Sequence, residues 1–133
     1  QDVMVVAGDG KVSLPSGIGD VGGLPAFTCR AWGVFSFSAG SRTLLAGGNV
    51  ASITDSGNGW HTVTFSTPMP DTNYCVTLGV TGDSDSNAFI YTASQQGSDT
   101  KTVNGFRFRT KYAQNAVAFG VLVSGQASFS VFR

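Results

Sequence analysis

The segment Phe106-Arg107-Phe108-Arg109-Thr110-Lys111-Tyr112 carries the sharpest chemical pattern in this chain. Successive side chains of a strand point to opposite faces, so alternation places Arg107, Arg109 and Lys111 on one face and Phe106, Phe108 and Tyr112 on the other. Cations about 7 Å apart along a strand suit the phosphates or carboxylates of an extended ligand, such as an acidic polysaccharide. The plainer reading is that they solvate the sheet, guard it against edge pairing and pair with aspartates. Trp60 comes from a second stretch, in which it shares a face with Thr62 and Thr64 while His61, Val63 and Phe65 share the other. An exposed aromatic beside a Gly-rich turn can stack on a sugar ring, or pack against a neighbouring strand or subunit. Asp83, Asp85 and Asn87 offer oxygen ligands at alternate positions of one loop. Without the central glycine and closing glutamate of a calcium loop, they read as a polar hairpin loop able to hydrogen-bond sugar hydroxyls, and no metal is expected there. Tyr91, on the strand after that loop, completes the candidate ligand-binding set.

Catalysis is not expected. His61 is the sole histidine, and parity turns it toward the core, where a half-buried imidazole bonded to backbone is the ordinary outcome. A single histidine supplies neither a metal cluster nor a base with an orienting partner. The chain has no Gly-x-Ser-x-Gly elbow, no His-x-x-x-His pair and no phosphate loop opening a helix. Asp83 and Asp85 sit on one short loop, whereas glycosidase carboxylates face each other at about 5 to 10 Å across a cleft. No cofactor is expected.

The elements that must hold these residues are strands. Of the 133 residues, 41% are hydrophobic and 12% charged, and all eight acids are aspartate, which removes the Glu/Lys pairs on which long helices are built. Serine, threonine and glycine fill the polar positions, as suits strands and tight turns. The predicted fold class is all-β: an antiparallel sandwich of about eight short strands. Predicted strands run through Ala26–Phe37, Arg42–Ala46, Val50–Thr54, Gly59–Phe65, Tyr74–Val80, Ala88–Ala93, Gly105–Tyr112, Ala116–Val123 and Ala127–Phe132. Asp55-Ser56-Gly57-Asn58-Gly59 is a hairpin signal. Pro68-Met69-Pro70 ends one strand and steers the chain into the next, so Gly59 to Val80 reads as an antiparallel pair with a wide corner. Ala116 to Val123 is apolar on both faces, as in a central strand or one that meets a partner.

Residues 1–25 are glycine-rich and read as a connector, with a domain over 26–133. Within the connector, Met4-Val5-Val6 is able to pair or pack. Gln1 in first position is expected of a piece cut from a larger protein. A net charge of zero gives no global attraction to nucleic acid or an anionic membrane, and no apolar run is long enough to span one. Phe27, Cys29, Ala31, Gly33, Phe35 and Phe37 form the predicted core face of the first long strand. Cys29 and Cys75 are expected as buried free thiols. Trp32 and Val34 make that strand's other face partly apolar, as for contact with a second layer or subunit.

Cys29-Arg30-Ala31-Trp32, Gly48 through Asp55, Gly59 through Tyr74 and the closing Ser130-Val131-Phe132-Arg133 together resemble the C-terminal domains of bacteriophage tail-fibre and tail-spike proteins. The Pro-Met-Pro corner and strand order are also similar, more loosely, to H-type lectin domains. The resemblance implies a non-enzymatic, homotrimeric fibre-tip knob that binds bacterial surface polysaccharide or lipopolysaccharide and joins other virion proteins through its N-terminal segment. A structural virion protein without sugar binding, or a secreted lectin, are the alternatives. Two features depart from the fibre pattern: the apolar Gly33-Val34-Phe35-Ser36-Phe37, and Trp60 at a position more often polar. The family offers no invariant ligand-binding motif to place here, so the site residues rest on parity.

Overall fold

The computed structural model describes residues 5–6, 12–13, 29–82, 90–95, 101–114, 118–122 and 124–133. Among them are twelve strands: β1 (Val5–Val6), β2 (Val12–Ser13), β3 (Cys29–Ser38), β4 (Ser41–Gly48), β5 (Ser52–Asp55), β6 (Trp60–Thr64), β7 (Cys75–Gly82), β8 (Ile90–Ser94), β9 (Lys101–Thr102), β10 (Gly105–Gln114), β11 (Ala118–Val121) and β12 (Gly125–Phe132). That exceeds the eight expected, partly because β1, β2 and β9 are two-residue pieces. β1 and β2 form an antiparallel ribbon of their own within the expected connector. The others form two antiparallel sheets. One has the order β4-β3-β12-β7; the other runs β11-β10-β6-β5, with β8 and β9 also paired to β10.

The two sheets enclose one core, and alternation supplies its residues from both sides. Ala31, Phe35 and Phe37 of β3 and Ala127, Phe129 and Val131 of β12 are buried from one sheet; Val63 of β6 with Phe106 and Phe108 of β10 are buried from the other. Ring contacts cross between the sheets, Phe106 to Phe129 at 5.2 Å and Phe35 to Phe108 at 6.0 Å between centroids. Offset and edge-on ring pairs of this kind add about 0.5–1.5 kcal/mol each beyond their buried area.

Four expectations need correction. The strands flanking the Pro-Met-Pro corner do not pair: β6 lies between β5 and β10, and β7 lies beside β12 in the other sheet. Met69 between the two prolines is buried and its N–H donates to the Val103 carbonyl, so the corner carries the chain across the core. Both thiols are exposed, not buried. Arg30 is an extra residue in a bulge that sets Cys29, rather than Arg30, opposite Phe132, which turns Cys29 to the outer face. Cys75 stands opposite Phe132 on its other side, so two strand spacings, about 10 Å, separate the cysteines, too far for a disulfide. Among the described residues β11 pairs with β10 alone and ends its sheet, instead of standing as the central strand expected of that segment. His61, finally, is fully buried and bonded to side chains rather than to backbone. Phe27 of the expected core face lies outside the described residues.

The hairpin at 55–59 forms as its composition predicts. Gly57, Asn58 and Gly59 all adopt positive φ, and the Asp55 carboxylate accepts the Gly57 N–H at 2.8 Å. Gly59 has a second reason to be glycine, because a Cβ there would lie 2.9 Å from the Thr110 carbonyl oxygen. Asn49, also at positive φ, joins three segments: its amide donates to the Arg30 and Thr67 carbonyls and accepts the Thr67 N–H.

Between the sheets, Arg42 of β4 donates through Nε to His61 Nδ1 at 2.7 Å, and its Nη2 pairs with Asp55 at 3.0 Å. His61 Nε2 lies 3.0 Å from Thr110 Oγ1. The imidazole is packed among Phe35, Phe37 and Phe108 at centroid distances of 5.2, 4.8 and 5.0 Å. Burial, and then the adjacent guanidinium, lower its pKa from 6.5 to about 4, against the opposing pull of Asp55. The folded chain therefore keeps His61 neutral while the unfolded chain takes up a proton near pH 6.5. Stability from this group is full above that pH and falls as pH drops toward 4, by up to roughly 3 kcal/mol. Urea titrations between pH 4 and 7 should show this slope in the wild type and lose it in His61→Asn; a wild-type profile flat over that window would contradict the assignment.

Candidate functional site

The outer face of the β5-β6-β10 sheet gathers three of the residues singled out by their chemistry. Register places Trp60 opposite Arg109 and Thr62 opposite Arg107. The Arg107 guanidinium carbon lies 5.0 Å from the centre of the Trp60 ring and that of Arg109 lies 5.8 Å from it. Both distances are within the range of cation–π attraction. Arg109 is held further by its Nε, which donates to the Asn58 carbonyl at 2.9 Å, so the positive-φ hairpin that precedes β6 also fixes one guanidinium. Phe106, Phe108 and Thr110, the alternate residues of β10, are buried, and a one-residue slip would exchange them with the cations.

Arg107 borders a shallow groove of about 170 Å³ lined also by Thr62, Thr64, Thr102, Asn104 and Gly105. Residue 105 is glycine because the β6 backbone occupies the place of a side chain; a Cβ there would run into the Val63 carbonyl. Below the groove, the buried Tyr74 hydroxyl donates to the Gly105 carbonyl at 2.7 Å, with the Thr102 carbonyl at 3.0 Å. Burial pushes the Tyr74 pKa up to about 12, which keeps that hydroxyl a neutral donor. Lys101 is spent on the same support, its Nζ donating to the Tyr74 carbonyl at 3.0 Å. At the groove's rim, the Asn104 N–H donates to Thr102 Oγ1 and the Asn104 carbonyl accepts the Phe65 N–H.

Lys111 extends the row on the same strand, two residues beyond Arg109 and opposite Val121 and Thr92. Among the described residues the ion pairs are Arg42–Asp55 and Arg133–Asp71, and neither described aspartate pairs with Arg107, Arg109 or Lys111. Tyr91 lies in β8 opposite Tyr112, and its side chain is outside the described part. Asp83, Asp85 and Asn87 lie outside the described residues altogether. The groove residues Thr62, Thr64, Thr102, Asn104 and Gly105 were not among the sequence candidates. Parity puts Thr62 and Thr64 beside Trp60, but only the pairing of β6 with β10 and of β9 with β10 brings them to Arg107.

Trp60 is thus a clamp for two cations before it is a platform for anything else. Each cation–π contact at an exposed site is worth about 0.5–1 kcal/mol. A double-mutant cycle of Trp60→Ala with Arg109→Gln, read by urea unfolding, should return a coupling of about that size, and a coupling indistinguishable from zero would show that the ring does not hold the guanidinium. No family model, curated protein or solved structure matches this chain.

Proposed function

We propose that this domain is a non-enzymatic attachment module at the tip of a bacteriophage tail fibre, binding bacterial surface polysaccharide or lipopolysaccharide through the outer face of β6 and β10. The observation that carries this reading is the Trp60, Arg107 and Arg109 cluster set beside an open groove rimmed by threonine hydroxyls and the Asn104 amide. Hydroxyls, amides and guanidinium groups are the side chains that satisfy sugar hydroxyls and acid substituents. A shallow, solvent-open groove gives weak single contacts, and a homotrimer would raise them by avidity. The N-terminal segment then serves to join the knob to other virion proteins.

A second reading, a structural virion knob that binds no sugar, draws on the opposite sheet. Trp32, Leu44 and Leu45 are 44%, 40% and 54% exposed there, as suits contact with another subunit. Two measurements separate the readings. Native mass spectrometry should give three chains per particle. A labelled particle on an array of bacterial polysaccharides and lipopolysaccharides should bind, with Trp60→Ala and Arg107→Ala each weakening binding about tenfold or more. A bare array together with unchanged host adsorption by both variants would leave only the structural reading.

A further inference from the structure

We infer that the glycan bound at this face carries an oxyanion, a uronate carboxylate or a phosphate ester, and that Arg107 rather than Arg109 receives it. The inference rests on the glycan-binding reading above and adds the ligand's charge and the division of labour between the two arginines.

The two guanidiniums differ in what they have left to give. Arg109 has committed Nε to the Asn58 carbonyl and is partly buried between Trp60 and its neighbours. Arg107 is exposed, and makes no hydrogen bond or ion pair to another described residue. Its one contact of this kind is with the Trp60 ring, which engages a guanidinium without using its in-plane N–H donors. No described residue engages its five donors, which have the fork geometry that matches a carboxylate or phosphate bidentately. The ring also restrains the side chain before any ligand arrives, so less rotamer freedom is lost on binding. On its other side Arg107 borders the open groove, where a sugar ring bearing the anion would have Thr62, Thr64 and Asn104 within reach of its hydroxyls. Arg109 is a positioning residue that holds Trp60, and through it Arg107.

The test uses the native particle on an array in which each bacterial glycan is printed three times: intact, with carboxylates reduced to alcohols, and with phosphates removed. Intact acidic glycans should bind. One of the two treatments should lower binding about tenfold, identifying the anion as uronate or phosphate. Arg107→Gln should abolish the difference between intact and treated spots, Arg107→Lys should restore it in part, and Arg109→Gln should lower all spots while keeping their ratio. Unchanged thermal melts of the Arg107 variants establish that the effect is not unfolding. Equal binding to intact and treated glycans, or an undiminished ratio in Arg107→Gln, overturns this inference and leaves glycan binding standing; no binding to any spot removes both.

Discussion

The hydrogen bond from Arg42 to His61 is the constraint around which the two sheets are arranged. A guanidinium can only donate, so His61 Nδ1 must be the lone-pair nitrogen and the ring's single proton sits on Nε2. That proton is given to Thr110 Oγ1, and the Thr110 hydroxyl in turn faces the carbonyls of Leu122 and Gly59 at 3.2 and 3.4 Å. Every step has one direction. Arg42 uses three further donors on Asp55 and on the Ser38 and Ser41 carbonyls, so a cation whose side chain is only 4% exposed is both paired and hydrogen-bonded. Removing one member would leave a buried polar group without a partner, at a cost of about 1–3 kcal/mol.

This chain of bonds matters for the outer face because it fixes the register of β10. Thr110 must point inward to meet His61, and with it Phe106 and Phe108. Arg107, Arg109 and Lys111 are then outward by alternation alone. The same hairpin that returns the chain to His61 supplies the Asn58 carbonyl that holds Arg109, and the Gly59 carbonyl that meets the Thr110 N–H and hydroxyl. Interior and binding face are two sides of one pairing. At the other end of β10 the equivalent fixing comes from Tyr74, whose hydroxyl holds the Gly105 carbonyl from below.

What the sequence made legible was parity and turn chemistry. The inward His61, the outward Trp60, the two-faced β10 and the Gly57-Asn58-Gly59 hairpin follow from local pattern, because each is decided within a few residues. Three kinds of feature were not legible. The bulge at Arg30 inverts the side of Cys29 without leaving a mark on the alternation around it. The partner of each strand depends on the whole topology, so the Pro-Met-Pro corner looked like the bend of a hairpin when it is a crossing between sheets. Arg42 offered no signal for burial, since a lone arginine on a short strand is ordinarily a surface residue; only the facing histidine and aspartate make its position tolerable. The groove at Gly105 belongs to the second kind, being assembled from β6, β9 and β10.

Net charge misleads in a related way. A chain with eight cations and eight aspartates gives no reason to expect attraction to an anion, yet the described charges are not mixed evenly. Asp55 and Asp71 are each committed to an arginine, Arg42 in the core and Arg133 at the last residue. Arg107 and Arg109 stand together on a face where no described aspartate answers them. At physiological ionic strength the screening length is about 8 Å, close to the roughly 7 Å separating alternate residues on a strand. Of the described charges, a ligand at that face therefore experiences the two guanidiniums and little of the Asp55 and Asp71 carboxylates, which are neutralised by Arg42 and Arg133. Whether a neutral protein attracts an anion is decided within one Debye length of the groove, by which way β10 faces.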